Sequence, residues 1–131
     1  MTYVSNKPPR LVFALFLSVA MTSGPVDAED WATRSGDTLL SPQAMVEQLT
    51  GRDLEFYDGG RSRYSAGGSY SYTYAPENGG GTAFGTYEFR DDSVVCAAFR
   101  NGFSRCDMVV ENAGRLIVIT EDGERYPVRP E

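Results

Sequence analysis

Cys96-Ala97-Ala98-Phe99-Arg100-Asn101-Gly102-Phe103-Ser104-Arg105-Cys106 decides how the chain folds, because two cysteines at this spacing around an Asn-Gly turn describe a hairpin stapled across its strands. The order Phe99-Arg100-Asn101-Gly102 suits a type I turn followed by a left-handed residue. Asn is favoured late in such turns, and Gly accepts positive φ without a Cβ clash. Gly102 then becomes the bulge, and Phe99 faces Phe103 as the closing hydrogen-bonded pair. Counting back three places on each strand sets Cys96 opposite Cys106 at a non-hydrogen-bonded position, where Cα atoms stand roughly 4.5 Å apart, within disulfide reach. Closing that ring removes unfolded-state entropy worth about 3 kcal/mol in the chain-entropy treatment.

Outward from the hairpin, the first 28 residues read as an address. Lys7 and Arg10 precede an apolar run from Leu11 to Met21, and Val26-Asp27-Ala28 supplies small residues for a signal peptidase, so cleavage is expected after Ala28. The apolar run is shorter than the roughly 20 residues a membrane-crossing helix needs. No membrane insertion is therefore expected once the signal is removed, and the product is expected to be periplasmic or secreted. No cysteine near the cleavage point would carry a lipid, and no paired arginines suggest export of a folded protein. The expected organisation is a signal peptide (1–28), a leader (29–39) and a single domain (40–131). In an oxidising compartment, two cysteines pair with each other rather than serve catalysis or a metal.

After Ala28 the chain holds ten of the twelve basic and seventeen of the eighteen acidic residues, a net charge of −7. Every one of those basic residues is arginine and none forms a run, so a nucleic-acid partner and an anionic membrane surface are both disfavoured. The lack of histidine removes the commonest general base and the commonest metal ligand together. Asp91-Asp92, Glu111 and Glu121-Asp122-Gly123-Glu124 remain as acids, yet each falls at an expected turn, and the last lacks the oxygen spacing of a calcium loop. Glu77-Asn78-Gly79-Gly80-Gly81-Thr82 has no Lys-Ser or Lys-Thr after it and reads as a connector rather than a phosphate loop. No enzyme, cofactor or metal is expected.

One helix is expected over residues 42–50. Ser41 can cap it, Pro42 fits its first position and Gly51 stops it, while Leu40 and Met45 form a hydrophobic staple and Met45, Val46 and Leu49 an apolar stripe. From Asp53 onward the apolar period becomes two and Gly, Asn-Gly and Asp-Gly punctuate the chain, which predicts about eight antiparallel strands. Their spans are 54–58, 61–66, 69–75, 83–90, 93–99, 103–110, 115–120 and 125–128. The fold class is thus mainly β, an antiparallel meander closing into a small barrel, with a two-layer sandwich as the alternative. Val94, Cys96 and Ala98 are expected to face inward with Cys106, Met108 and Val110. On that register Met108→Asp should unfold the domain and Arg105→Ala should scarcely change its melting temperature.

The stretch 61–74 is rich in Tyr, Ser, Gly and Arg, the palette of binding surfaces. Arg61, Arg63, Tyr64, Tyr70, Tyr72 and Tyr74 are the candidate binding residues. Tyrosines at period two also suit an ordinary half-buried strand, and packing carries more weight than recognition. The expected function is a non-enzymatic periplasmic domain that binds another envelope component through this side of the barrel, an inhibitor of a hydrolase being the specific version. The alternative is a barrel carrying a small ligand.

Leu49-Thr50-Gly51, Tyr57, Gly85-Thr86-Tyr87-Glu88-Phe89, Val95-Cys96, Arg105-Cys106 and Asp122-Gly123 together form a pattern that resembles small exported proteobacterial domains of uncharacterised function. The resemblance covers most of residues 40–128, with tyrosine at 87 where tryptophan is usual, and implies a periplasmic β-rich domain without an assigned activity. The chain is also similar to periplasmic inhibitors of lysozyme, which are small disulfide-bearing barrels. Ser65-Ala66-Gly67-Gly68-Ser69-Tyr70 resembles their Ser-Gly-containing binding loop, while the cysteines are placed differently.

Overall fold

Residues 31–131 are described by a computed structural model, and the expected signal peptide and its cleavage point lie outside the described residues. A two-residue strand β1 (Thr38–Leu39) leads into helix α1 (Pro42–Leu49). The eight further strands are β2 (Asp53–Glu55), β3 (Arg61–Tyr64), β4 (Ser69–Thr73), β5 (Thr82–Phe89), β6 (Val94–Phe99), β7 (Ser104–Asn112), β8 (Arg115–Ile119) and β9 (Arg125–Pro127). Strands β2 to β9 pair in chain order, each antiparallel to the next. The meander expected from the turn punctuation is therefore the meander observed.

The sheet curls into a half-barrel. Its first and last strands meet through one bridge, Phe56 to Val128, and through Arg129 N–H donating to the Glu55 carbonyl at 2.8 Å. Full closure, the preferred expectation, is not reached. Both edge strands are three residues long and β9 contains Pro127, which has no N–H to offer a ladder.

Helix α1 begins where the cap requires: the Ser41 hydroxyl accepts from the Ala44 N–H at 3.1 Å, and Pro42 occupies the first turn. Met45 and Leu49 are buried with Leu40, whereas Val46 is exposed, so the apolar stripe is narrower than expected. The helix packs against one end of the curl, beside Leu54, Val109, Leu116 and Val128.

The stapled hairpin forms in the expected register. Phe99 N–H donates to Phe103 O at 2.7 Å, Gly102 N–H to Phe99 O at 3.0 Å, and Gly102 takes φ 92°. Cys96 stands opposite Cys106 and is bonded to it, with Cα atoms 4.0 Å apart. The faces are the reverse of the expectation: Val95, Ala97, Asp107 and Val109 are buried in the concave side, while the disulfide lies on the outer surface with Arg90 donating to Cys96 Sγ at 3.3 Å. Val94-Val95-Cys96-Ala97-Ala98 is apolar on both faces, so periodicity could not choose between them, and a one-residue shift in facing exchanges every side chain.

Val110 is buried even so, because the outer face has a small core of its own. Val110, Ile117 and Ile119 lie beneath Trp31 and Met108. The described part of the leader, from Trp31 onward, thus docks rather than trails. Strand β1 pairs with the second half of β7, Leu39 opposite Val110, where β6 has already ended. Ser93 holds the junction: its N–H donates to Leu40 O at 2.8 Å, and its hydroxyl accepts from Leu40 N–H at 2.6 Å. Asp37 then latches the leader, bonded at 2.9 Å through both carboxylate oxygens to Arg125 and at 2.7 Å by Asn112 Nδ2.

Candidate functional site

With the helix filling one end of the half-barrel, the strand ends remote from it define an open mouth. Ser62 near the start of β3, Tyr72 late in β4, Arg105 early in β7, Thr120 just past β8 and Tyr126 in β9 gather there with Phe56, Asp58 and Val118. They surround a cavity of about 180 Å³. An adjoining open depression of about 310 Å³ shares Arg105, Thr120 and Tyr126 and runs over Phe103, Asp107 and Asp122 toward Cys106 and Glu121 at the outer surface. Phe56 lies 6.5 Å from Tyr72 in a stacked arrangement and 6.3 Å from Tyr126 edge-on, so three rings wall the mouth.

Arg105 is the polar centre. Its side chain keeps 34% of its surface exposed, against 6% for Asp107, and its Nε lies 3.2 Å from Asp107 Oδ2. The guanidinium carbon sits 5.9 Å from the Tyr72 ring centroid and 6.0 Å from that of Phe99, a cation–π placement. Asp107 Oδ1 is buried without a hydrogen-bond partner, and Arg105 Nε is buried with the ion pair to Asp107 Oδ2 as its contact. Burial pushes the Asp107 carboxyl up from its ordinary range, against the pull of Arg105. Burial likewise raises the hydroxyls of Tyr64, Tyr70 and Tyr72, and the Tyr70 hydroxyl bonds Ser62 Oγ at 2.9 Å. At the rim, Asp58 Oδ1 accepts from Gly60 N–H at 2.8 Å.

The six candidate residues of the 61–74 stretch do not form one surface. On β3, Arg61 and Arg63 are exposed on the outer face, Arg63 paired with Asp53 at 3.0 Å. Tyr64 and Tyr70 are buried in the core, their ring centroids 5.0 Å apart. Tyr72 reaches the mouth, and Tyr74 is exposed beside it, 4.9 Å from Tyr72 between centroids. Only Tyr72 combines the expected chemistry with a cavity. Asp107, Phe56 and Tyr126 were not singled out from sequence, and Arg105 was expected only as an outward residue of little weight in stability. The available signal was Arg105-x-Asp107 inside a strand that is otherwise largely apolar, since two charges at period two share one face.

No family model matches this chain, and no curated protein or solved structure matches it either.

Proposed function

We propose that the exported chain is a non-enzymatic periplasmic binding domain that holds another envelope component at the mouth of its half-barrel, in keeping with the small exported domains it resembles. One observation carries this reading: a cavity of about 180 Å³ walled by Phe56, Tyr72 and Tyr126, with Arg105 projecting into it. Aromatic walls around a few convergent polar groups are the usual make-up of a ligand site. Asp107 faces the Arg105 guanidinium, an arrangement that suits recognition better than proton transfer. The interior beyond the mouth is filled by Tyr64, Tyr70, Leu54, Val109 and the helix residues Met45 and Leu49, so a cargo carried here is small and sits at the entrance.

The stapled hairpin supports a second reading, inhibition of an envelope hydrolase. Its tip projects Phe103, 59% exposed, from a turn pinned by the disulfide, the shape that enters another protein's cleft. The test is affinity capture from a periplasmic extract with the exported protein as bait, repeated with Tyr72→Ala and Phe103→Ala. Loss with Tyr72→Ala alone supports the mouth, and loss with Phe103→Ala alone supports the hairpin. Capture unchanged by both overturns the assignment of recognition to this end of the fold.

A further inference from the structure

We propose that the mouth takes a single neutral sugar ring, as found at the end of an envelope glycan; the inference rests on the mouth being the recognition site and names its ligand class. Size is the first ground. At about 180 Å³ the cavity falls below the roughly 300–1,000 Å³ of sites for drug-sized ligands, and so has room for one ring. The adjoining space of about 310 Å³ continues past Arg105 and Tyr126, where a next unit of an oligosaccharide would run.

Hydrogen bonding is the second ground. Asp107 Oδ1 is a buried acceptor without a hydrogen-bond partner, on a side chain only 6% exposed, while its Oδ2 faces Arg105 Nε at 3.2 Å. An orphaned buried polar atom costs about 1–3 kcal/mol. Neighbouring hydroxyls on a sugar suit this pair, one accepting from the exposed part of the Arg105 guanidinium and the other donating to Asp107 Oδ1 at the boundary with the adjoining space, which Asp107 lines. Thr120 and Ser62 line the same space with hydroxyls already engaged, Ser62 by Tyr70 and Thr120 by Asp122 and Glu124, which leaves the Arg105–Asp107 pair as the polar contact for a ligand.

Charge and shape decide between ligand classes. Arg105 and Asp107 offset one another, and the rest of the rim carries Asp58 and Asp122, which turn away phosphorylated or acidic ligands. Asp58 Oδ1 is already engaged by Gly60 N–H, which weakens its claim on a cation. The rings of Phe56, Tyr72 and Tyr126 offer flat apolar faces. A pyranose ring has both required surfaces, C–H faces for the aromatic walls and a hydroxyl edge for the ion pair.

The test is an NMR titration of the exported protein with glucose, galactose, N-acetylglucosamine and chitotriose, following the Arg105 Nε–H and the ring signals of Tyr72 and Tyr126. At least one neutral sugar should give saturable shifts confined to the mouth, and the oligomer should bind more tightly than its monomer if the adjoining depression is used. Tyr126→Ala should weaken binding about tenfold, equivalent to about 1.4 kcal/mol. Tyr126 is 42% exposed, so the variant should keep its melting temperature, and Arg63→Ala on the outer face should bind as the parent does. Absence of shifts from all four sugars at about 50 mM, far above a millimolar Kd, overturns the sugar assignment. So does binding that Tyr126→Ala leaves unchanged, or stronger displacement by gluconate than by glucose. If the sugars fail while Tyr72→Ala still abolishes capture of an envelope component, the ligand class falls and the mouth remains the site. If both fail, the mouth itself is wrong.

Discussion

Arg105→Ala is a perturbation for which the hairpin pattern alone implies almost no effect and the structure a large loss of stability. The side chain lies on the concave face, with Nε 3.2 Å from Asp107 Oδ2 and the guanidinium over Tyr72 and Phe99. Truncation strands a carboxylate that is 6% exposed. Removing one partner of a fully buried pair costs about 3–5 kcal/mol, but a third of the Arg105 side chain meets solvent, so screening reduces the expected loss to about 2–3 kcal/mol. In a domain of this size about 1 kcal/mol moves the melting temperature about 4–8 °C, and the variant should melt on the order of 10–20 °C below the parent. The assay is thermal and urea unfolding by circular dichroism, at pH 7 and again at pH 5. In the variant the Asp107 carboxyl has a folded-state pKa still further above its unfolded value, so the protonated form is the one the fold prefers. Acidification through that folded pKa should therefore recover part of the loss, down to about pH 4 where the unfolded carboxyl also protonates. Arg105→Ala with Asp107→Ala should be less damaged than the single variant. A single variant within about 0.5 kcal/mol of the parent, the ordinary range for a surface change, would refute the inward placement of the pair.

Other outcomes follow from the same contacts. Asp37→Asn should cost about 2 kcal/mol by urea unfolding, as it breaks charge-assisted bonds to Arg125 and Asn112. The Arg125 guanidinium holds the Asp37 carboxyl well below the usual carboxylate range, so its contribution is complete above about pH 4 and is lost as pH falls further. The acid limb of the parent's stability curve should accordingly be steeper than that of the Asn variant. Gly85→Ala should destabilise strongly, by about 2 kcal/mol or more, because a Cβ there would collide with the backbone carbonyl of Ala98 across the β5–β6 ladder. Ser41→Ala should cost about 1 kcal/mol by removing the helix cap, readable as a small downward shift in melting temperature. Replacing both Cys96 and Cys106 by Ser should cost about 3 kcal/mol in urea while leaving the circular dichroism spectrum unchanged.

The strand order and the disulfide were legible because each rests on local chemistry. Asn101-Gly102 sets the hairpin turn, the cysteine count sets the register, and Gly51, Gly59, Gly68, Gly114 and Gly123 sit in left-handed conformations at the breaks between elements. The facing of β6 and β7 was not legible. Cys96, Ala97 and Ala98 offer no polar side, and a rule that sends charge outward misplaces Arg105 and Asp107, which enter the interior as a pair among tyrosines. The same rule missed the outer core, since Val110, Ile117 and Ile119 are covered by Trp31 from the leader, far away in sequence. Of the candidate site, Tyr72 was found by composition, and Phe56, Arg105 and Tyr126 come together only through the curl of the sheet. Closure was overestimated because two three-residue edge strands, one bearing Pro127, supply too few backbone donors to zip the seam.

Recognition at the open end of the curl is tested most directly by comparing substitutions on the two faces of the sheet in one binding assay. Binding of the proposed envelope component is measured for the parent, for Tyr72→Ala with Tyr126→Ala, and for Arg61→Ala with Arg63→Ala. Loss of at least tenfold in affinity for the tyrosine pair, with the arginine pair equal to the parent, is the predicted result. Full affinity in the tyrosine pair together with loss in the arginine pair would contradict it, and would move recognition to the outer surface of β3.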